Sequence, residues 1–473
     1  MFKAYDIRGI AGSEIDVSFS RRLGRSIVDF TGASSIAVGR DIRTSGEALH
    51  EAMMEGIRSS GCDVVNLGIV PTGVVYRSTV DMEIDVAIAI TASHNPPEYN
   101  GFKIVHSGLP MAGRDLQDLK SVFDSISEEE RVLDGTLVDG TGYVNSVIEE
   151  IVKDIGPIDR RIVVSVDAAN AVPGPYIVDL FEKLGVETVA INCEWNADFP
   201  AHPADPTRPA NMRELSSTVV SSGAEFGIGV DGDGDRIGVV DENGRFIHPD
   251  RLIGLFAKDI LLNEDLGKDS EESRTILYDV KCSMGVDEAI ASSGGIGRMV
   301  RTGHSFMKRE LASSPSIRFA GEMSGHLFFN DRWNGFDCSL YNSARLIELV
   351  ARLSDPMDGS IGFSDLLSSV PEYPSTGESK INFEGGRDEI MKLVRSSFSD
   401  LQFSEVDGVR VTYPNGWFLC RPSNTEPILI MRAEGRTEAA LESILSDVRA
   451  RIGGVINLRE SVSYTHLRAH ETP

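Results

Sequence analysis

Residues 84–103 read Ile-Asp-Val-Ala-Ile-Ala-Ile-Thr-Ala-Ser-His-Asn-Pro-Pro-Glu-Tyr-Asn-Gly-Phe-Lys, an apolar segment followed by a polar loop. The segment 84–90 is short, apolar and rich in β-branched residues, which predicts a buried strand. Pro96 and Pro97 exclude a helix after it and predict a rigid loop. The Ser93 hydroxyl is therefore expected at the carboxyl end of a core strand, where α/β sheets place their ligands. A turn serine can also simply bond its own backbone, so this loop alone leaves the function open.

A strand, a helix and a second strand recur along the chain. They are predicted at 35–39, 46–60 and 62–67, at 161–166, 174–184 and 186–192, and at 275–280, 284–293 and 297–301. This spacing is typical of βαβ units with a right-handed crossover. Each repeat is followed by an apolar segment that ends in a polar loop, at 91–103, 231–236 and 321–326. We therefore predict three related α/β domains, each contributing one loop to a shared cleft.

Size and composition limit the possible functions. A chain of 473 residues is too long for one core, so three to four domains are expected. The formal net charge of −26 argues against binding nucleic acid or an anionic membrane through bulk charge. An anionic substrate would need a local cluster of Lys, Arg and backbone N–H groups. Scattered cysteines and no apolar run of transmembrane length predict a cytoplasmic protein without disulfides.

The second loop, Asp231-Gly232-Asp233-Gly234-Asp235-Arg236, alternates carboxylates with glycines. In an extended backbone alternate side chains share a face, so the aspartates should converge, and the glycines leave room for close approach. Adjacent carboxylates repel one another unless a cation neutralises them, and an all-oxygen ligand set suits Mg²⁺, Mn²⁺ or Ca²⁺. A solvated acidic turn is the other interpretation of the same residues.

Other functions are compatible with parts of this loop. An EF-hand would place Glu242 at its twelfth position, but its sixth position needs glycine and holds Arg236. Residues 227–232 spell G-x-G-x-x-G, yet no helix is predicted after them to receive a pyrophosphate. A metal-dependent phosphatase with an aspartate nucleophile also favours paired aspartates after an apolar strand. That alternative stays open at this stage, as does a non-enzymatic metal-binding protein.

The third repeat is followed by side chains suited to a sugar. The loop 321–326 offers Glu322, Ser324 and His326, which mix the acceptors and donors that sugar hydroxyls need. A lone histidine is more often structural than catalytic. His304 is favoured as a functional residue because Lys308 and His326 are predicted near the same cleft.

After Pro371 and Pro374 the repeat stops, which predicts a linker into a smaller domain of different design. Within it, Arg421-Pro422-Ser423-Asn424-Thr425-Glu426-Pro427 lies between two predicted strands. An arginine with small hydrogen-bonding residues on a turn suits a phosphate, although a plain hairpin turn has the same composition. Residues 461–473 do not fit this plan, and we predict a disordered tail there.

Four of these stretches resemble the signature loops of the α-D-phosphohexomutases: 91–103, 231–236, 321–326 and 421–427. The opening run, Phe2-Lys3-Ala4-Tyr5-Asp6-Ile7-Arg8-Gly9, also resembles that family's N-terminal motif. The resemblance covers residues 1–460. It implies an α/β fold of three related βαβ-repeat domains with mixed sheets, plus a smaller α+β C-terminal domain, around a central cleft. The expected limits are 1–142 for the phosphoserine domain, 143–245 for the metal-binding-loop domain, 246–367 for the sugar-recognition domain and 368–460 for the C-terminal phosphate-binding domain.

The resemblance also implies roles for individual residues. Ser93 would carry a phosphoryl group, assisted by Arg8, Lys103 and His94, with Lys103 as the candidate acid/base. Mg²⁺ would be bound by Ser93, Asp231, Asp233 and Asp235. Substrate-binding roles are implied for Tyr5, Arg236, Arg251, Lys281, His304, Glu322, Ser324, His326, Arg421, Ser423, Asn424 and Thr425. A hexose 1,6-bisphosphate is the implied intermediate and activator.

Met323, at the third place of the 321–326 loop, bears on the sugar. A methionine there resembles the phosphomannomutase/phosphoglucomutase branch, whereas the glucosamine-specific branch typically has glutamine. The expected function is therefore interconversion of hexose 1-phosphate and hexose 6-phosphate, with mannose or glucose as the hexose. A phosphoglucosamine mutase is the alternative. The expected partners are small sugar phosphates, with no nucleic acid or membrane, and the enzyme is expected to be a monomer.

Overall fold

The computed structural model describes residues 1–3, 5–126, 134–262, 270–353, 361–383, 386–423 and 428–454. These residues form three α/β domains followed by a smaller C-terminal domain. Asn424, Thr425 and the predicted tail at 461–473 lie outside the described residues.

The first domain is built on a mixed sheet. Its strands are β1 (Ile7–Ile10), β2 (Ser35–Arg40), β3 (Asp63–Ile69), β4 (Val86–Ile90), β5 (Tyr99–His106), β6 (Leu109–Pro110) and β7 (Leu137–Asp139). Its helices are α1 (Val17–Thr31), α2 (Gly46–Arg58), α3 (Thr72–Asp81) and α4 (Arg114–Ser125). The strand order is β1-β5-β4-β2-β3-β7, with β6 paired to β5.

The second and third domains repeat this design on smaller sheets. The second comprises α5 (Tyr143–Ile155), β8 (Val163–Asp167), α6 (Gly174–Lys183), β9 (Glu187–Ile191), α7 (Arg213–Ser222), β10 (Phe226–Val230), β11 (Ile237–Asp241) and β12 (Phe246–Ile247). The third comprises α8 (Pro249–Leu262), β13 (Thr275–Asp279), α9 (Met284–Ser292), β14 (Ile296–Val300), α10 (His304–Ser313), β15 (Phe319–Gly321), β16 (Leu327–Phe329), α11 (Ser339–Leu353) and α12 (Phe363–Leu367). Short 3₁₀ helices cover Pro209–Met212 and Glu272–Arg274.

The fourth domain has an antiparallel sheet. It comprises β17 (Ser379–Asn382), α13 (Arg387–Ser397), β18 (Phe403–Ser404), β19 (Val409–Tyr413), β20 (Gly416–Pro422), β21 (Ile428–Gly435) and α14 (Glu438–Ile452). The strand order is β17-β21-β20-β19-β18, and every neighbouring pair is antiparallel.

The predicted threefold repeat is confirmed at the level of strand order. Each of the three domains has three parallel strands, in the orders β4-β2-β3, β10-β8-β9 and β15-β13-β14. An antiparallel strand pairs with the first strand of each set. Each functional loop joins the last parallel strand to that antiparallel strand. The predicted limits of the repeat elements agree with the observed ones to within two residues. The opening run at 2–9 ends in an edge strand, β1, in which Ile7 and Arg8 pair with Phe102 and Gly101.

The fourth domain has its own hydrophobic core, formed among others by Val394, Phe398 and Val448. A larger core runs continuously through the first three domains. The contact between the two parts is partly polar: Trp417 packs with Val280, and Glu434, which accepts a hydrogen bond from the Trp417 indole, also accepts one from the Met284 backbone. No helix among the described residues combines the length and the apolar character needed to cross a bilayer.

Candidate active site

A cleft of about 610 Å³ lies where the four domains meet. The polar residues that line it come from every domain and include Tyr5, Arg8, Ser93, His94, Lys103, Arg236, Lys281, His304, Glu322, Ser324, His326, Glu378, Lys380 and Arg432. The three loops predicted to share a cleft therefore do so. The physical cause is the common topology, because in each domain the loop follows the carboxyl end of the last parallel strand.

Ser93 is buried and adopts a left-handed backbone conformation, with φ of 51°. Its Oγ donates a hydrogen bond to Asp231 Oδ2 at 2.9 Å, and it lies 3.2 Å from His94 Nδ1. Gly232 is required beside it, since a Cβ at that position would lie 2.3 Å from the Ser93 carbonyl oxygen. The first two loops are therefore packed against each other at the serine, whose hydroxyl has both a carboxylate and an imidazole within reach.

The three aspartates of the second loop converge as predicted, but through a turn rather than an extended backbone. Asp231 Oδ1 accepts the backbone N–H groups of Asp235 and Arg236 at 3.0 and 3.1 Å, which curls the loop. Gly234 permits this with φ of 72°. One carboxylate oxygen from each of Asp231, Asp233 and Asp235 lies within 4.8 Å of the others.

Two observations test whether this cluster fits a metal ion. Asp233 Oδ1 and Asp235 Oδ1 are buried and have no hydrogen-bond partner among the described residues. Burial, followed by the charges of Asp235 and Asp233, raises the pKa of Asp231 well above its usual range. The carboxylates therefore repel one another, and two of their buried oxygens have no partner among the described residues. Both features suit a hard divalent cation.

Lys103 supplies part of the neutralising charge. Its Nζ lies 2.7 Å from Asp233 Oδ2 and also contacts Asp235. Burial by itself lowers the pKa of Lys103, but Asp233 and Asp235 more than offset that and hold it well above its ordinary value. Lys103 therefore keeps its proton here, whereas a lysine acting as a base would need a depressed pKa.

Arg236 lies between the three aspartates and the loop 321–326. Its Nε contacts His326 Nε2 at 3.1 Å and lies 3.8 Å from both Asp231 and Asp235. The same positive charge, followed by burial, lowers the pKa of His94 well below its ordinary value. His94 is consequently a neutral imidazole next to the Ser93 hydroxyl.

His304 and His326 stack, with ring centroids 5.2 Å apart. Asp337 lies behind them: its Oδ2 is 2.9 Å from His326 Nδ1 and its Oδ1 accepts from Lys308 Nζ at 2.6 Å. Burial, together with Lys308, lowers the pKa of His304 to about 3. His304 is thus uncharged, and its ring makes an edge contact with Tyr5 at 5.5 Å between centroids.

The remaining first- and third-domain residues are placed in the cleft as follows. Arg8 donates to the Asn95 side chain at 2.6 Å and pairs with Asp6, so it adjoins the Ser93 loop. Glu322 accepts the Gly303 N–H at 2.6 Å, and burial raises its pKa. Ser324 Oγ faces Glu322 Oε2 at 3.5 Å. A carboxyl group, a hydroxyl and imidazoles therefore face the same space.

The far end of the cleft is cationic. Lys281 and Arg432 line it, and Arg432 Nε and Nη1 are buried without a hydrogen-bond partner among the described residues. Arg421 lies on the same face of the sheet as Arg432, because Leu419 is opposite Arg432 and two residues from Arg421. Arg421 pairs with Asp407 at 2.8 Å, and Ser423 is buried beside it. These positions suit an anion.

Among the described residues predicted to bind substrate, Arg421, Ser423 and Arg251 do not line the cleft. Arg251 is bonded elsewhere. Its Nη1 pairs with Glu372 at 2.8 Å and its Nη2 donates to the Leu367 carbonyl at 2.6 Å. The position of Arg251 on α8 therefore directs its guanidinium toward the segment that precedes the fourth domain.

Sequence reasoning missed several residues of the site. Glu378, Lys380 and Arg432 line the cleft but lie outside the four predicted loops, and nothing in their local sequence indicates that they belong to a site. Asp41 and Arg43 also contact the Ser93 loop. A signal for these two existed, since they directly follow β2, a parallel neighbour of the strand that carries the serine loop.

A serine at a strand end, an aspartate cluster and cationic side chains in one cleft suit an enzyme of the phosphoryl-transfer class. Family models for the phosphoglucomutase/phosphomannomutase α/β/α domains I, II and III match residues 1–130, 141–244 and 248–365, and the model for the family's C-terminal domain matches 381–451. The chain belongs to the phosphoglucomutase/phosphomannomutase family. It is a phosphohexomutase, an isomerase that moves a phosphoryl group.

Individual relatives agree over nearly the whole chain. A phosphomannomutase/phosphoglucomutase of Pseudomonas aeruginosa is 38% identical over 96% of both chains. A phosphoglucomutase of Neisseria gonorrhoeae is 37% identical over 96% of both. The crystal structure of a phosphoglucomutase/phosphomannomutase family protein from Burkholderia thailandensis superposes with a TM-score of 0.85 at 37% identity, covering 96% of this chain and 97% of that one.

Proposed function

We propose that this chain interconverts hexose 1-phosphate and hexose 6-phosphate by way of a phosphoryl group on Ser93. The observation that carries the proposal is the position of the Ser93 hydroxyl. It lies in a strained turn, 2.9 Å from a buried aspartate cluster, in a cleft lined with Arg8, Lys103 and Arg236. Uncatalysed phosphate-monoester reactions are very slow, so positioning and neutralisation of charge must supply most of the catalysis.

In the transfer step, the P–O bond to Ser93 breaks as a new P–O bond forms to the free hydroxyl oxygen of the sugar phosphate. The proton of that hydroxyl passes to a basic group of the cleft, and Ser93 Oγ takes up a proton in return. His94 is placed for exchange with Ser93, because its neutral Nδ1 lies 3.2 Å from Oγ. Lys103 stays charged, which suits neutralisation of the phosphoryl oxygens.

Mg²⁺ is the proposed cofactor, held by Asp231, Asp233, Asp235 and the Ser93 oxygen. When bound, such an ion draws charge from the phosphoryl oxygens as a Lewis acid. The buried, unpartnered oxygens of Asp233 and Asp235 support this assignment. Among the divalent cations, Mg²⁺ is the usual partner of carboxylates and phosphates together.

The product of the first transfer is a hexose 1,6-bisphosphate, which must turn end for end before the second phosphoryl group returns to Ser93. The phosphate that does not react needs a separate site, for which the cations available are Lys281 and Arg432, which line the cleft, and Arg421, which lies on the same sheet face as Arg432. The separate core of the fourth domain supports opening and closing of this site during the turn.

The proposed hexose is mannose or glucose. Met323 lines the cleft and packs against the main hydrophobic core, and its backbone N–H donates to Asp279 Oδ1 at 3.2 Å. A thioether offers no strong donor or acceptor to an amino substituent at carbon 2. Phosphoglucosamine mutase remains the second candidate because Glu322 and Ser324 could still bind a glucosamine phosphate.

The domain limits, the oligomeric state and the compartment are also proposals. The limit at 142 is supported by β7, which completes the first sheet at Asp139, and the limit at 367 by α12, which ends at Leu367. The limit at 460 stays a prediction, and the one at 245 should move to 247, because β12 (Phe246–Ile247) still pairs with β11 of the second sheet. A cleft assembled from one chain supports a monomer as the working unit. Five free thiols support a cytoplasmic enzyme.

Phosphorus NMR of the enzyme with each sugar 1-phosphate and a trace of its bisphosphate tests the function directly. Mannose 1-phosphate and glucose 1-phosphate should convert to their 6-phosphates, and glucosamine 1-phosphate should convert slowly. Release of inorganic phosphate without isomerisation would instead favour the aspartate-nucleophile phosphatase. A higher kcat/KM for glucosamine 1-phosphate would move the enzyme to the other branch.

A further inference from the structure

We infer that Arg43 is a positioning residue that holds the backbone of Ser93 in the conformation needed for phosphoryl transfer. The inference rests on the proposed role of Ser93 as phosphoryl carrier. Arg43 lies 50 residues before Ser93, directly after β2, and its side chain is 1% exposed. It is not among the residues that line the cleft, so it acts through the loop and not on the substrate.

Every N–H of the Arg43 guanidinium is used. Nη2 donates to the carbonyls of Ser93 and Asn95, both at 2.7 Å. Nη1 donates to the carbonyls of Pro96 and Tyr99 at 2.6 and 3.1 Å, and Nε donates to Asp41 at 3.0 Å. A guanidinium has five N–H groups in a fixed plane, so this single side chain can bind four backbone carbonyls of the loop at once.

The backbone N–H of Ser93 is held by hydrogen bonds that lead back to Arg43. Asp41 Oδ2 accepts from Thr91 Oγ1 at 2.7 Å, and Thr91 Oγ1 in turn accepts the Ser93 N–H at 2.9 Å. Asp41 Oδ1 accepts the Arg43 N–H at 3.0 Å. Arg43, Asp41 and Thr91 thus fix both the N–H and the C=O of Ser93.

Such a unit is needed because Ser93 has φ of 51°, a conformation that a residue with a Cβ adopts only when its surroundings impose it. Relaxation of this residue would rotate the hydroxyl away from Asp231. A small displacement of a reacting atom can lower the rate about a hundredfold without weakening substrate binding. Loss of Arg43 should therefore lower kcat much more than it changes KM.

The test compares Arg43→Lys with Arg345→Lys. Lysine keeps the charge but cannot reach the four carbonyls in one plane. Arg345 is a matched control, because it is buried, pairs with Asp331 at 2.8 Å and lies on α11 away from the cleft. We expect Arg43→Lys to lower kcat roughly ten- to a hundredfold with KM changed less than about threefold. Rapid-quench transfer of phosphate from the bisphosphate to Ser93 should slow by the same factor.

Thr91→Val provides a second variant that does not disturb the guanidinium. It should also lower kcat selectively, and the double variant should lose less than the product of the two single losses, since both act on the Ser93 residue. If Arg43→Lys does not fold, the kcat-selective loss in Thr91→Val carries the test. The inference is overturned if folded Arg43→Lys lowers kcat no more than the Arg345→Lys control at a matched melting temperature, or, where Arg43→Lys does not fold, if Thr91→Val lowers it no more than that control. It is also overturned if the loss appears in KM alone.

Failure of the proposed function has a different signature. If wild-type enzyme turned over without any phosphoserine, and Ser93→Ala stayed active, both the role of Ser93 and this inference would be rejected. If phosphoserine forms and Ser93→Ala is inactive while Arg43→Lys is normal, only the inference is rejected.

Discussion

The ammonium of Lys281 in the third domain lies 2.8 Å from the carboxylate of Glu378, in the segment leading to the fourth domain. Burial raises the pKa of Glu378, but Lys281 and then Arg432 and Arg421 lower it by more. Glu378 is therefore charged, and it neutralises the cationic end of the cleft. A substrate phosphate at that end has to compete with this carboxylate.

Glu378→Gln should consequently lower KM for hexose phosphates. Partly exposed ion pairs contribute up to about 1 kcal/mol, which corresponds to a decrease of up to about fivefold. The measurement is KM for glucose 1-phosphate and glucose 6-phosphate at low ionic strength. Glu288→Gln is the control, because Glu288 pairs with Arg436 at the same domain boundary. An increase in KM would mean that Glu378 contributes to substrate binding.

Ser93→Ala should abolish isomerisation and remove one phosphoryl group from the intact mass of the phosphorylated enzyme. The reason is that the hydroxyl is the phosphoryl acceptor in the proposed reaction. Ser78→Ala is a matched control, since Ser78 is a buried serine of α3 whose hydroxyl bonds only the Val75 carbonyl among the described residues. Retention of most activity in Ser93→Ala would support the aspartate-nucleophile mechanism instead.

Chelation by EDTA should stop turnover, and added Mg²⁺ should restore it. Asp233→Asn should resemble the chelated enzyme, because it removes one negative charge from the cluster while keeping its shape. Asp241→Asn serves as the control, because Asp241 Oδ1 accepts backbone N–H groups at 2.9 and 3.0 Å, and an amide oxygen can do the same. Full activity in metal-free buffer would contradict the assignment of the metal site.

Arg421→Ala should weaken both substrate orientations while Ser93 can still be phosphorylated. Loss of a charge-assisted contact to a phosphate should lower kcat/KM roughly ten- to a hundredfold for 1-phosphates and 6-phosphates alike. Escape of the bisphosphate should also make turnover depend more on added activator. Arg395→Ala, which removes a pair with Glu405 in the same domain, is the control. Unchanged kcat/KM in both directions would remove Arg421 from the site.

His202 predicts a pH dependence of stability outside the cleft. Its hydrogen bond to Asp167, at 3.0 Å, raises its pKa despite partial burial. A raised folded-state pKa stabilises the protein fully below the ordinary value of 6.5, and this contribution is lost as the pH rises through the raised value. His202→Asn should therefore lower the melting temperature more at about pH 5.5 than at about pH 8.5. In the Asp167→Asn background this difference should disappear, and a pH-independent effect in the wild-type background would refute the prediction.

The Ser93 and Asp231 loops could be predicted because their signals are local. Strand-length apolar runs followed by polar turns identify the edge of each sheet, and three repeats place those edges in one cleft. The convergence of Asp231, Asp233 and Asp235 was also predictable from their spacing. The turn that produces it was not, because it depends on Asp231 accepting two backbone N–H groups further along the chain.

The contacts of Arg251, Glu378 and Arg43 could not be predicted from the local sequence. Arg251 has the same chemistry as the cleft arginines, but the register of α8 directs it to Glu372. Glu378 reaches Lys281 only because two separately folded domains come together. Arg43 follows a strand next to that of Ser93, yet its contacts with four carbonyls depend on the path of the folded loop.

By itself, the sequence determined which residue types stand at the strand ends: a serine, three aspartates, a carboxylate with histidines, and an arginine turn. Those features follow from the order of residues along the chain, and so the repeat and the fold class follow as well. The reaction class came from the resemblance of the loops to those of the α-D-phosphohexomutases, because the residues alone left a phosphatase open. The tertiary structure alone decided which charges share space, and hence that Lys103 stays protonated, that His94 and His304 are neutral, and that Arg43 holds Ser93. The physical reason is that burial and pairing set the charge and orientation of a side chain, and both depend on groups far away in sequence.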